Sequence, residues 1–374
     1  MPPVCPSGPS SNAGAAGVTT QRVLFVADAG PQVGGGHVMR CLTLARALTE
    51  RGCDCAFAES RAAAPILRRF GWPPHALVAM IGATDLAGLV DWAEQFADQF
   101  EPDLVVFDHY QAGRAEEERL RINGRRVLVI DDLADRRHAA DMLLDPGFGR
   151  RREHYDGLTL PDCQVMVGPS HALVRPEFGH GRQRALSRRA SHGPVRRAVV
   201  TLGMTDVGGV TGKVVAALAP TLGDVRLEVV VGSEAPSLRQ LRALAAEDRR
   251  IRLWIDDADM AGLMSEADLA VGAGGSSVWE RATVGLPTLT LSLADNQRPM
   301  IEQLAASGVT VGLDVATSDF ETKLVAAWAS LVDDRALRWR LTERSAELCD
   351  GQGAARVAEV VLAPWSRYFV KPDA

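Results

Sequence analysis

RVLFVADAGPQVGGGHVMRCLTLARALTERG, residues 22–52, decides how the rest of the chain is read. It opens on an apolar run, Arg22–Asp28, that ends in a carboxylate. Short apolar runs bounded by turn residues are buried parallel strands. A turn containing Gly34, Gly35 and Gly36 follows. Val38, Met39, Leu42, Ala45 and Leu48 then recur at helical spacing, up to Gly52 at a suitable place for the C-terminal cap. Strand, glycine turn and helix start form an anion site, because the free N–H groups and the helix dipole point into the turn. The spacing is neither GxGxxG nor a P-loop. His37 stands at the carboxyl end of the first strand, where open α/β sheets take ligands. A tight turn beside a helix start is the alternative reading of the same residues.

The alternation continues outward. Cys55–Ala58, Leu104–Phe107, Val127–Ile130, Met142–Leu144 and Val165–Val167 read as further strands. Residues 181–197, rich in Arg, Gly, Ser and His, read as an interdomain linker. Beyond it the pattern restarts with strands Ala198–Leu202, Leu227–Val231, Leu253–Ile255, Leu269–Val271 and Thr288–Leu291, and with helices near Val210–Leu218 and Ser277–Val284. The expected architecture is α/β, with two Rossmann-like, doubly wound parallel-sheet domains facing across a cleft. The expected boundaries are a disordered leader over 1–20, a sugar and catalytic domain over 21–180, and a nucleotide domain over 198–350. A C-terminal helix within 351–374 is expected to pack back at the junction.

Composition narrows the class. The 374 residues are 47% hydrophobic and 24% charged, which is the balance of a folded globular protein long enough for two domains. A net charge of −6 speaks against a general nucleic-acid binder while allowing a local basic pocket. The six cysteines form no CxxC pair and no zinc spacing, so they read as small core residues of a cytoplasmic protein. No apolar stretch reaches the roughly 20 residues of a membrane span, and residues 1–20 lack the pattern of a signal peptide. No carboxylate cluster demands a divalent metal, and no cofactor is expected.

Three further constellations lie at strand ends. Asp108-His109-Tyr110 follows Leu104–Phe107, and Asp131-Asp132 follows the next strand. Gly272-Ala273-Gly274-Gly275-Ser276-Ser277-Val278-Trp279-Glu280 is a second strand–glycine turn–helix unit. There Ser276 or Ser277 would cap the helix, the N–H groups would meet a diphosphate, and Glu280 would accept from ribose hydroxyls. Gly203 and Gly232 also close strands and would leave room for a nucleotide. Ala294-Asp295-Asn296-Gln297 precedes another helix, with Asn296 read either as a cap or as a sugar contact. Each of these has a plain structural alternative, in loop capping or in the helix dipole.

GGGHVMRCLTLARAL, DHY, HALVRPEF, GAGGSSVWERATVGLP and LADNQ, taken in order, resemble the UDP-sugar hydrolases of the pseudaminic acid pathway. Those enzymes release UDP from UDP-2,4-diacetamido-2,4,6-trideoxy-β-L-altropyranose. They are similar to the UDP-N-acetylglucosamine transferases that build lipid II, with two Rossmann-like domains in the glycosyltransferase B arrangement. The resemblance implies that His37 activates water and that Tyr110 and Asn296 line the sugar site with Asp28, Gly34, Gly36, Asp108 and Gln297. It implies that Gly203, Gly232, Gly274, Gly275, Ser276, Ser277 and Glu280 hold UDP, in a cytoplasmic step that serves surface or flagellin glycosylation. Two positions depart from the family pattern. Val26 stands where many members have Arg, which would alter charge near the sugar, and Met204 follows Gly203 where many have a second glycine.

The implied chemistry is a single displacement with inversion. Helix starts stabilise the departing diphosphate, and a neutral imidazole takes the proton of water. A UDP-sugar glycosyltransferase with a second sugar as acceptor is the first rival, and a non-catalytic nucleotide-sugar binder the second. For the transferase, Arg68, Arg69, Phe70 and Trp72 are the one hint of a membrane-facing patch. A solvated helix end is the plainer reading of that patch.

Overall fold

The structure is a computed structural model that describes residues 20–29, 35–59, 63–70, 77–79, 85–122, 124–191, 193–256 and 258–364. Gly34, Trp72, Cys5 and nearly all of the expected leader lie outside the described residues. The first half holds β1 (Arg22–Ala27), β2 (Asp54–Glu59), β3 (Leu77–Ala79), β4 (Leu104–Asp108), β5 (Arg126–Ile130), β6 (Met142–Asp145) and β7 (Gln164–Val167). They form a seven-stranded sheet in the order β3-β2-β1-β4-β5-β6-β7, and every pairing is parallel. The second half holds β8 (Arg197–Thr201), β9 (Arg226–Val231), β10 (Ile251–Ile255), β11 (Leu269–Ala273), β12 (Thr288–Ser292) and β13 (Val311–Asp314). Their order is β10-β9-β8-β11-β12-β13, again all parallel.

Helices cover both sheets, as parallel strands require. They are α1 (Gly36–Thr49), α2 (Ala64–Arg69), α3 (Leu86–Phe100) and α4 (Arg114–Leu120), then α5 (Pro176–Ala190), α6 (Val210–Leu218), α7 (Leu238–Glu247) and α8 (Met260–Glu266). The last five are α9 (Ser277–Thr283), α10 (Arg298–Ala306), α11 (Phe320–Asp333), α12 (Arg335–Leu348) and α13 (Gly353–Leu362). The continuous apolar run of β1 serves two layers at once. Val23 and Phe25 join the core under α1, with Phe25 stacked on Phe57 at 4.7 Å, whereas Leu24 and Val26 join the core that contains Val90 and Ala93 of α3. Val26 is fully buried there. The expectation that it alters charge near the sugar is therefore corrected: it is a core residue.

Each sheet reverses its strand order once, between β1 and β4 and between β8 and β11. The carboxyl ends of the strands at such a switch point open a crevice for ligands. In the first half that place belongs to Asp28, His37 and Asp108, and in the second to Gly203 and the loop after β11.

The stretch read as a linker is mostly helix, since α5 runs to Ala190. Two of its arginines, Arg182 and Arg189, point to helix ends. Arg182 donates to the carbonyls of Thr283, Ala346 and Cys349. Arg189 donates to those of Met264, Val284 and Ala267. The last carbonyls of α8, α9 and α12, which no helical bond satisfies, thus receive charged donors. Burial lowers the Arg189 guanidinium to about 9.

The chain leaves the first half through α5 and returns between α12 and α13. Ala354, Val357, Ala358 and Val361 of α13 sit in the same core as Val38 and Leu42 of α1. The two connections touch at a pair of glycines. A Cβ on Gly351, whose φ is +80°, would stand 3.3 Å from Gly179 Cα and 2.8 Å from Thr283 Cγ2.

A buried charge cluster ties α4 to the loop between β5 and β6. His138 Nδ1 lies 2.7 Å from Glu117 Oε1, and its Nε2 lies 3.8 Å from Asp131 Oδ2. Burial alone would lower the imidazole, but Asp131 and Glu117 raise it to about 9. Its ordinary value is about 6.5, so the stabilisation is complete below that pH and is lost as pH rises through 9. Unfolding free energy is expected to fall by something of order 3 kcal/mol between pH 6.5 and 9.5, and His138→Gln should flatten the profile. Denaturant titrations across that range check this; an equally steep profile in the variant would exclude His138 as the cause.

Candidate active site

His37 is the second residue of α1 and is buried. The β1–β4 ladder brings Asp108 beneath it, and Asp28 N extends that ladder with a 2.8 Å bond to Asp108 O. His37 Nδ1 lies 3.2 Å from Asp108 Oδ1 and 3.3 Å from the Asp108 carbonyl oxygen. Two acceptors around one ring nitrogen place the N–H there, which leaves the lone pair on Nε2.

Arg40 fixes the carboxylate. It lies three residues after His37 on the same face of α1, and its Nε and Nη2 donate to the two Asp108 oxygens at 2.5 and 2.6 Å. Its Nη1 reaches Asp132 Oδ2 at 3.1 Å. Burial would raise the Asp108 carboxyl, but Arg40 and then His37 outweigh it and hold it below its ordinary value. Asp108 is therefore an anion that orients the imidazole. Burial pushes the neighbouring Cys41 thiol well up, so it stays protonated.

Tyr110 stands edge-on to His37, with ring centroids 4.5 Å apart at 79°. Its hydroxyl donates to Asp132 Oδ2 at 3.4 Å, and burial together with Asp132 raises its pKa, so it remains a neutral phenol. His109 Nε2 is 3.8 Å from Asp28 Oδ1. Burial lowers its pKa by more than Asp28 raises it.

Across from these groups lies the loop 273–277. A Cβ on Gly36 would be 3.4 Å from Ser276 Oγ, so the starts of α1 and α9 face each other from the two halves. Gly275 opens onto free space, whereas Gly274 packs under Ile301 and Gln297. The expected serine cap is corrected: Ser276 makes no side-chain cap bond, and Ser277 Oγ accepts from Arg281 at 2.9 Å. Glu280 Oε1 accepts from Arg175 Nε at 2.7 Å. Arg175, on the approach to α5, also lies 5.0 Å over the Phe178 ring.

Other expected residues fall into different roles. Gly203 has φ +99° and open space at its Cβ position. Gly232 N donates to the Met204 carbonyl oxygen at 3.0 Å, and a Cβ there would stand 2.5 Å from that oxygen. Asn296 is exposed in a 3-10 turn over Asp295–Gln297. Gln297 spends its carbonyl oxygen on Leu293 N at 3.2 Å. Among the described residues no hydrogen bond joins Asn296 to His37 or Tyr110. Arg68 and Arg69 are exposed at the end of α2, in line with a solvated helix end, and Arg69 bonds Asp256 of the second half at 3.1 Å.

Among the described residues no group of three or more His, Cys, Asp and Glu is placed to hold a metal ion. The five described cysteines are free and buried. No described helix is long and apolar enough to cross a membrane.

No family model matches the chain. It is 26% identical to the UDP-2,4-diacetamido-2,4,6-trideoxy-beta-L-altropyranose hydrolase of Campylobacter jejuni, over 78% of this chain and 98% of that one. It is 25% identical to the spore coat polysaccharide biosynthesis protein SpsG of Bacillus subtilis, over 90% of this chain and 96% of that one. Among solved structures, MurG of Acinetobacter baumannii superposes with a TM-score of 0.64 at 18% identity, covering 91% of this chain and 99% of MurG. Two parallel sheets at switch points, facing across a cleft, are the glycosyltransferase B architecture. The chain is a homologue of the Campylobacter hydrolase and of SpsG, built on the fold of MurG.

Proposed function

We propose that this chain hydrolyses a UDP-linked 2,4-diacetamido-2,4,6-trideoxy sugar at C1, as the name of its Campylobacter homologue describes. The observation that carries the reading is the Asp108–His37 pair, with Nδ1 occupied and Nε2 left to accept a proton. Water attacks C1, His37 takes its proton, and the bond from C1 to the diphosphate oxygen breaks with its electron pair leaving on UDP. Asp108 keeps its charge and stabilises the imidazolium so formed. The N–H groups of the loop 273–277 and the start of α9 receive the diphosphate. Glu280, held through Oε1 by Arg175, keeps Oε2 for the ribose. Tyr110 presents a neutral hydroxyl beside His37 for the sugar.

The test is incubation with a panel of UDP-sugars and no acceptor, read by mass spectrometry and proton NMR. Release of UDP and free sugar, with inversion at C1 in the first product, is the expected result. UDP release that requires an added sugar acceptor would make the chain a transferase, the reading the MurG likeness favours. Tight UDP-sugar binding without turnover would make it a binding protein.

A further inference from the structure

Arg281 is a buried cation that the proposed reaction does not use. It is 2% exposed, in the middle of α9, and among the described residues no hydrogen bond joins it to a carboxylate. Its Nη1 donates to Ser277 Oγ at 2.9 Å and its Nη2 to the Ala273 carbonyl at 2.7 Å. These two partners are the first and last residues of the loop 273–277, so one guanidinium joins both ends of it. Nε has no hydrogen-bond partner among the described residues. Gly272 makes room for the group, since a Cβ there would collide with Arg281 Nη1, Cζ and Nε.

The neighbouring anion does not cancel this charge. Glu280 is the adjacent carboxylate, and it is bonded to Arg175. Burial lowers Arg281 to about 10, and Glu280 opposes that only in part. A protein seldom keeps an unpaired cation in its interior, because desolvation is costly unless an opposite charge arrives. Here the cation lies directly behind a glycine loop whose outer side is open at Gly275.

We propose that Arg281 is a positioning residue that makes the loop 273–277 read the charge of its ligand, favouring a nucleoside diphosphate over a monophosphate or an uncharged nucleoside. The inference rests on the UDP reading above and deepens it. Arg281 acts through the loop: it holds both ends so that the N–H groups converge, and it adds an only partly compensated positive field behind them. A staple without the field is the competing account, and it makes a different forecast.

Calorimetry with uridine, UMP and UDP on the wild-type chain, Arg281→Gln and Arg281→Lys separates the two. Arg281→Gln should bind UDP roughly 10- to 100-fold more weakly, as loss of a close, partly desolvated charge implies, and bind uridine within about twofold of wild type. Arg281→Lys keeps the charge and loses the fork, so its ratio of UDP to uridine affinity should stay within about threefold of wild type. Equal losses for all three ligands in Arg281→Gln, or a ratio in Arg281→Lys as low as in Arg281→Gln, would overturn the proposal. Should Arg281→Gln fail to fold, the wild-type ratio measured from 50 to 500 mM salt decides, because a buried charge is screened far less than exposed ones. A ratio nearly constant with salt supports Arg281, and a steep fall assigns the attraction to surface cations. A wild-type chain that binds no UDP sinks the UDP reading and this inference together. Unchanged ratios in variants of a UDP-binding chain sink this inference alone.

Discussion

His37→Ala is expected to lose about 10²- to 10⁴-fold in turnover, the contribution of a positioned general base, while UDP affinity stays near wild type. The structure gives the reason for the split. Asp108 is held by the Arg40 fork and remains in place without the imidazole. The loop 273–277 belongs to the other half and is held by Arg281, with Glu280 held by Arg175. Removing the ring also removes a buried edge contact with Tyr110, so a modest loss of stability accompanies the loss of rate. Melting temperature and turnover measured on the same variant keep the two apart. A folded variant that hydrolyses near the wild-type rate would remove His37 as the base and turn attention to Tyr110.

Arg40→Leu is the second large effect, and it falls on stability first. The guanidinium is the fork that binds both oxygens of a fully buried carboxylate. Breaking such a pair from one side leaves a buried charge unpaired and costs about 3–5 kcal/mol. In the wild type the Asp108 carboxyl is held below its ordinary value, so its stabilisation is present at neutral pH and is lost as pH falls through the lowered value. Without Arg40, burial raises the same carboxyl, and the penalty is relieved when it takes up a proton. The gap between variant and wild type should therefore be widest near pH 7.5 and narrow toward pH 5. Turnover should fall as well, because a neutral Asp108 no longer stabilises the imidazolium. Urea unfolding at the two pH values checks the sign; a loss below about 1 kcal/mol at both would place the pair among exposed bridges of little weight.

What the sequence disclosed follows from what local patterns encode. His37, Asp108 and Tyr110 were legible because each stands at or just after the carboxyl end of an apolar strand, and parallel strands bring those ends to one edge. The glycine turns before α1 and α9 were legible for the same reason. Arg40 was missed: among Val38, Met39, Cys41 and Leu42 it reads as an ordinary helix residue, and its partner lies 68 positions away. The Arg175–Glu280 pair spans 105 positions and joins the approach to α5 with α9, so no local window contains it. β3 is three residues long, and β13 is a partly buried edge strand interrupted by Gly312. Neither offers the long apolar run by which the other strands were found. α5 was concealed because its many arginines look like a solvated segment, and only the tertiary fold reveals the carbonyls that they serve.

The glycine pair Gly179–Gly351 sets how the two halves are bound together. Two separate covalent tethers pass from one half to the other, and they lie against each other along a single seam, like the stitched spine of a book. A body held by adjacent tethers has little freedom to slide or to twist away; the freedom that remains is to open like a cover. Displacement grows with distance from the spine, so the covers' free edges travel furthest for a given turn. Arg69 and Asp256 form a contact between the two covers, and parting them requires that bond to break. Any side chain at Gly351 would have to accept a left-handed backbone and push against Thr283, thickening the spine at its tightest stitch.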